Sequence, residues 1–424
     1  MKSNKRTGEF VFAEAQGEPA KSVLYEKHLK LTQKSQMAEF AGYIMPLWYS
    51  SIKDEHNAVR QKAGVFDCSH MSTVEVGGEC AGEFLDIVTT NKISNMAVGL
   101  ARYSYILDAA GKILDDIFVY RREEKNFMVV VNAGNEKKIR AYFKALLDDE
   151  IIIDIKQPGK RLECKPVIRD MKDCSLGGDR RVDIAIQGPG AMDIVLKLAT
   201  TKGKQEEIIS MRPFHFIEAE LAGINCIVAK TGYTGASVCF ELFAAPENAG
   251  RLWDLLLETG GVACGLGARD SLRIEAGLPL YGHELAGKFN ISPFEAGYGW
   301  AVKLDKGFFI GKAAMEAVSE NHTMKVVRLG LDGQRGVRPV RGHDAVLDAE
   351  GKCIGEILSC AKIEDNQIAL AYVNKNANES DEVGVYYLAR NARQVQEGRK
   401  ESIAVGEKCD GDITGKIISR FQKF

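Results

Sequence analysis

Gly111-Lys-Ile-Leu-Asp-Asp-Ile-Phe-Val-Tyr120 sets two adjacent carboxylates, Asp115 and Asp116, inside an apolar run that otherwise reads as a β-strand. An isolated ionised carboxylate is costly to bury, so at least one of the two requires a donor, a ligand or water. Taken alone, the pair reads most simply as turn or strand-start acids facing solvent. The surrounding sequence is a dense strand zone. Residues 103–107, 113–120 and 127–131 are rich in β-branched and aromatic side chains, and polar or glycine-containing links separate them. Residues 135–147 then read as an amphipathic helix, with Ile139, Tyr142, Phe143, Leu146 and Leu147 on one stripe and Asn135 placed to cap it.

Working outward, the first twenty residues are polar and read as a loose arm. Helical segments are expected at 52–62, ended by Gly64, and at 81–88, with a strand at 73–77. Residues 157–181 carry Pro158, Gly159, Pro166, Gly177 and Gly178 among many charges and read as a long surface excursion. A strand at 182–186 and a helix at 191–199 follow. Residues 223–230 and 238–243 suggest a hairpin around Gly232-Tyr-Thr-Gly235, and 248–258 and 268–276 read as helices. From about residue 325, short apolar runs alternate with turns, as in an all-β barrel or sandwich.

A chain of 424 residues is long enough for two or three domains. Its 45% hydrophobic and 27% charged content is that of an ordinary soluble protein. The formal net charge of -2 lacks the basic footprint of a general nucleic-acid binder. No apolar run reaches the length of a bilayer span, and no secretory leader is evident. The ten cysteines include no Cys-x-x-Cys pair, and the histidines are scattered. Mostly unpaired cysteines in a reducing cytoplasm, without a structural metal, are therefore expected.

Several blocks occur in a fixed order. They are Phe40-Ala-Gly-Tyr-Ile-Met-Pro46, Val65-Phe-Asp-Cys-Ser-His-Met71, the Asp115-Asp116 stretch and Val130-Val-Asn-Ala133. Ile186-Gln-Gly-Pro189, Thr231-Gly-Tyr-Thr-Gly235, the Gly265–Ala276 run with Arg269 and Arg273, and Pro279-Leu-Tyr-Gly-His-Glu284 come next. Pro293-Phe-Glu-Ala-Gly297 and Phe309-Ile-Gly-Lys312 complete the series. Together they resemble the aminomethyltransferase family, the T-protein of the glycine cleavage system, over roughly residues 24–373.

The resemblance implies an α+β fold, a three-domain cloverleaf of the T-protein type with two interleaved α/β folate-binding domains and a C-terminal β-barrel. The corresponding boundaries are 22–70 plus 158–267, 71–157 plus 268–324, and 325–424. It further implies transfer of the one-carbon unit from the S-aminomethyl-lipoyl arm of H-protein to tetrahydrofolate, giving 5,10-methylenetetrahydrofolate and ammonia. Relatives suggest two alternatives. One is a tetrahydrofolate-dependent demethylase or methyltransferase acting on a methylated small molecule or a corrinoid protein. The other is a non-enzymatic folate-binding regulatory or assembly protein.

Carried over by motif, Asp116 is the central acid, able to orient a folate amine and to stabilise developing positive charge. Asp115 supports it or is a strand-edge acid. Arg269 matches the folate-site arginine, with a structural salt bridge as the plain alternative. Tyr103, Asn132, Tyr233 and Glu241 match folate-contacting positions; Tyr103 also reads as a core aromatic and Glu241 as a surface strand acid. Arg273 reads as structural, His70 as a packed histidine or alternatively a base, and Cys68 lacks a nucleophile's geometry. The chain departs from the family pattern at Ala236-Ser-Val-Cys239 and at Leu358-Ser-Cys-Ala-Lys-Ile-Glu-Asp365. In the family these segments border the donor side of the site, so the folate half looks intact and the donor half altered.

Overall fold

The computed structural model describes residues 6–13, 17–334 and 336–424. They form two compact units of interleaved segments. One takes Met1–Gly232, Ala236–Ala268 and Trp300–Ala317, and the other takes Tyr233–Gly235, Arg269–Gly299 and Val318–Phe424.

The first unit contains two large sheets. A six-stranded sheet has the order Phe216–Leu221, Ile224–Ala229, Cys239–Ala244, Val182–Gln187, Gly64–Asp67 and Val262–Cys264. A five-stranded sheet has the order Ala101–Leu107, Ile113–Glu123, Asn126–Val131, Ser72–Gly77 and Val167–Asp170. The central strands have both faces buried, which explains their nearly continuous apolar sequence. In Asn126–Val131, Phe127, Val129 and Val131 pack with Phe84, Tyr142 and Phe143 of the covering helices. The alternate residues Met128 and Val130 pack with Phe216, Ile227 and Phe243 of the other sheet.

The helices form where stripe and cap agree. Ser51 accepts from the Asp54 amide at the start of Ile52–Gln61, and Pro246 occupies the first turn of Pro246–Glu258. The fully buried Leu252, Trp253 and Leu256 of the latter helix face the six-stranded sheet. Gly111 turns the chain into the Ile113–Glu123 strand at φ +85°, and a Cβ there would collide with Ala314.

Two expectations need correction. The amino-terminal segment is not loose where it is described: Phe10 packs edge-on against Tyr142 at 4.9 Å, and Thr7 bridges Ile151. The 157–181 excursion contains an edge strand, Val167–Asp170, paired antiparallel with Ser72–Gly77. Cys80 and Cys164 are joined, tying the excursion to the start of helix Ala81–Val88, while the other eight cysteines form no disulfide, in line with a mostly unpaired set.

The second unit is built on a closed six-stranded barrel of Met324–Asp332, Asn366–Asn374, Cys353–Ile363, Ala345–Leu347, Glu382–Tyr386 and Ile413–Ile418. Closure removes exposed strand edges. Leu329, Val346, Ile357, Ala371 and Val385 fill its core. Among the described residues, no helix is long and apolar enough to cross a membrane.

A buried polar network pins the first unit. Asp67 Oδ2 accepts from Ser22 Oγ at 2.7 Å and lies 2.7 Å from His28 Nε2, while its Oδ1 accepts from the Ser69 amide at 2.8 Å. His28 Nδ1 meets the Tyr49 hydroxyl at 2.8 Å. Burial alone raises the Asp67 pKa, but hydrogen bonds and charge from His28, aided by Ser69, outweigh it and hold the carboxyl at about 2. A folded value below the unfolded one, near 3.9, stabilises the protein above about pH 4. That contribution is lost as the pH falls toward 2. Replacing His28 by Ala strips a buried carboxylate of its partner, so chemical denaturation at pH 7 should show a loss of about 3 kcal/mol or more. An unchanged midpoint would remove the network from this role.

Candidate active site

The opening pair sits mid-strand. A β-bulge lies beside it: Ile113 faces Leu107 and Asp115 faces Ile106, so Leu114 is the extra residue. Alternation then sends Asp115 to the helix-covered face and Asp116 to the face shared with Tyr103 and Tyr105. Asp115 is wholly buried, contrary to a solvent-facing reading, and Asp116 is half-buried.

Asn132, just past the end of the neighbouring strand, joins the two acids. Its Nδ2 donates to Asp115 Oδ1 at 2.9 Å and to Asp116 Oδ1 at 2.9 Å, and its backbone N–H donates to Asp115 Oδ2 at 3.0 Å. Asn135 does not cap the following helix through its side chain; its amide donates to Asp115 Oδ1 instead. The N-terminus of helix Glu136–Leu147 adds a favourable dipole. Tyr103 donates its hydroxyl to Asp116 Oδ2 at 2.8 Å. Tyr103, Asp115, Asp116 and Asn132 are therefore one constellation.

Both carboxyls are held above the ordinary carboxylate range. For Asp115 the causes are burial and then the Asp116 charge, opposed by the Asn132 and Asn135 donors; for Asp116 burial is opposed by Tyr103 and Asn132. Neighbouring carboxyls of this kind titrate as a unit. Such a pair can give or take one proton beside a reacting nitrogen.

Glu241 belongs to a second cluster in the same unit. It lies opposite Ala229 and Ala185 on the neighbouring strands. Its Oε2 accepts from the Tyr120 hydroxyl at 3.1 Å and from the Thr231 hydroxyl. Burial and then Glu241 keep the Tyr120 hydroxyl protonated well beyond its usual range. Glu241 is thus a positioned, half-buried acceptor rather than a surface strand acid.

In the second unit, Tyr233 and Arg269 form their own pair. The guanidinium lies 5.0 Å from the tyrosine ring centroid, and the Tyr233 hydroxyl donates to Pro279 O at 2.6 Å. Arg273 is structural: it is buried, with Glu284 at 2.6 Å, Asp270 at 2.8 Å and Ser359 Oγ at 3.2 Å. Ser359, from one of the departing segments, also donates to Glu284. His70 is buried, with edge-on contacts from Phe40 and Tyr43. Among the described residues, no cluster of three or more His, Cys, Asp or Glu side chains offers a metal site.

Asn135 is the partner that reading the sequence misses. Its place three residues after Asn132, between a strand and a helix, invites the local capping rule. Nothing local reports that Asp115, distant in sequence, takes its amide.

The GCVT N-terminal domain family matches residues 24–306. The chain belongs to the aminomethyltransferase family. It is 38% identical to the aminomethyltransferase of Exiguobacterium sibiricum over 76% of this chain and 80% of that protein. It is 39% identical to an aminomethyltransferase of Thermus thermophilus over 84% and 92% respectively. The crystal structure of glycine cleavage system aminomethyltransferase T from Bartonella henselae superimposes with a TM-score of 0.73 at 27% identity, covering 95% of this chain and 99% of that one. The mixed α/β fold with a closed C-terminal barrel is the fold of the family.

The raised values of the two carboxyls set a pH signature. A carboxyl whose folded pKa is raised favours the folded state at low pH, and that advantage declines as pH rises above the unfolded value near 4. Asp115→Asn places an amide N–H against the Asn132 donor, so its absolute stability is expected to fall. Its melting temperature should nevertheless decline less steeply than wild type between pH 5 and 9. Parallel slopes by differential scanning calorimetry would show that Asp115 does not carry a raised value.

Proposed function

We propose that this chain is a tetrahydrofolate-dependent aminomethyltransferase. It takes the one-carbon unit from the S-aminomethyl-lipoyl arm of H-protein and gives 5,10-methylenetetrahydrofolate and ammonia. The observation that carries this reading is the acid pair, joined by Asn132 and hydrogen-bonded by Tyr103, inside the matched family domain. The three-domain division belongs to the same proposal; two separate sheets and a closed barrel support it.

When bound, tetrahydrofolate supplies the amine nucleophile. The donor set fits it: Asp116 is half-open and fixed by two donors, and Glu241 is an acceptor suited to the polar edge of a pterin. Tyr103 and Asn132 keep the Asp116 carboxylate in one orientation, which lowers the cost of reaching reactive geometry. Asp116 then stabilises positive charge developing at the one-carbon unit and accepts or returns the amine proton. Asp115, with its three N–H donors, anchors the strand and Asn132 beside Asp116. Tyr233 and Arg269 are assigned as folate contacts on the family resemblance, the arginine offering a planar donor fork to an anionic or carbonyl group.

Asp116→Asn should fold, bind tetrahydrofolate within a few-fold of wild type, and lose roughly 10²–10⁴ in turnover. Stopped assays of ammonia release from aminomethylated H-protein, with folate titration by fluorescence, read both quantities. Full turnover in the variant removes Asp116 from the chemistry. No ammonia from wild type with this donor, despite folate binding, removes H-protein as the donor.

A further inference from the structure

Ser359 stands in one of the two segments where the chain departs from the family pattern, and a second β-bulge aims it. On strand Cys353–Ile363, Ile357 faces Ala371 and Ser359 faces Leu370, so Leu358 is the extra residue. Ile357 and Cys360, three apart, therefore both pack in the barrel core, and Ser359 is turned outward between them. There it is buried against the side chains of Glu284 and Arg273. We infer that Ser359 is a positioning residue for the folate contacts Tyr233 and Arg269, acting through the Glu284 carboxylate and the Pro279–Leu280 peptide. The inference rests on the folate reading above.

The connection is a continuous run of hydrogen bonds within the second unit. Ser359 Oγ donates to Glu284 Oε1 and accepts from Arg273 Nη2 at 3.2 Å. Glu284 Oε2 accepts from Arg273 Nη1 at 2.6 Å and from the Leu280 backbone N–H at 3.1 Å. The other side of that same peptide unit, the Pro279 carbonyl, accepts the Tyr233 hydroxyl at 2.6 Å. A peptide unit is planar, so a carboxylate that fixes its N–H also fixes the direction of its C=O. The Tyr233 ring in turn lies 5.0 Å from the Arg269 guanidinium. Arg269 precedes Arg273 by one turn of helix Leu266–Ala276, so the same network holds the helix that carries it.

Glu284 transmits position because it has nowhere to relax. The residue is 0% exposed, and its backbone N–H closes the turn by donating to Leu280 O at 3.1 Å. A buried carboxylate oxygen without a donor is costly, and among the described residues Ser359 is the donor to Oε1. Without that hydroxyl, Oε1 recovers a donor only by rotation of the carboxylate on Arg273, which draws Oε2 off the Leu280 N–H. The peptide then tilts, and the Tyr233 hydroxyl loses its fixed acceptor. A serine suits the place because one hydroxyl can donate to Glu284 and accept from Arg273 together. The departing barrel segment is thereby tied to the folate half of the site.

The test is a double-mutant cycle on the full-length protein, with the tetrahydrofolate Kd read by fluorescence titration. Ser359→Ala and Tyr233→Phe should each raise Kd roughly ten-fold, and the double variant should bind no more weakly than the weaker single one. In Ser359→Ala the KM for tetrahydrofolate should rise with Kd while kcat stays within about two-fold, because Asp116 is outside the network. Melting temperatures are recorded throughout, and if Ser359→Ala does not fold, Ser359→Cys, a weaker donor of similar size, takes its place in the cycle. A folded Ser359 variant with a lowered melting temperature and an unchanged Kd assigns the residue to the fold alone and overturns the inference. Losses that multiply in the double variant also overturn it, since the two residues then act independently. Absence of tetrahydrofolate binding by wild type overturns the folate reading and this inference with it.

Discussion

The side-chain amide of Asn132 is the contact on which the site depends. Two carboxylates on neighbouring residues of a buried strand repel each other and lose hydration together. One amide nitrogen, 2.9 Å from an oxygen of each, holds them in a common frame. It does so from the end of the adjacent strand, where the chain leaves the sheet for helix Glu136–Leu147. Sheet register, helix start and acid pair are thereby coupled. A shift in any one of them changes the distance between the two charges.

The surroundings divide the labour between rigidity and access. Asp115 faces the helix-covered side and meets only donors. Asp116 faces the other way, next to a tyrosine hydroxyl, and stays partly open. The same division recurs at Glu241, whose orientation is held by Tyr120 of the five-stranded sheet and by Thr231 of the loop after strand Ile224–Ala229. Elsewhere, charged groups that are fully enclosed, such as Asp67 with His28 or Arg273 with Glu284, have their partners within the protein. They hold structure together, and nothing reactive needs to reach them.

What was legible in the sequence follows from which signals are local. Helix Ala81–Val88 and strand Asn126–Val131 are readable because burial and residue type change in step along a few residues. The strand Val167–Asp170 is not, because it is an edge strand with two exposed residues and a partner far away in the chain. Helix Lys202–Ser210 has a single buried residue, Ile208, and so presents no stripe to find. Phe10 lies in a four-residue apolar run, Phe10-Val-Phe-Ala13, too short to show a period, so its anchoring on Tyr142 is not readable from the sequence. Within the site, Tyr103, Asp116 and Asn132 were found through the ordered motifs. The role of Asn135 and the hydrogen bonds of Ser359 arise only when distant segments meet.

The bulge at Leu114 carries a consequence for how this strand tolerates change. Side chains on a strand alternate in phase, and the extra residue resets that phase immediately before the acids. Losing one residue there would exchange the faces of Asp115 and Asp116, placing the enclosed carboxyl in the open position and the open one against the helices. Composition would be nearly unchanged, and so would hydrophobicity. The two aspartates are chemically identical, and only their parity along the chain tells them apart.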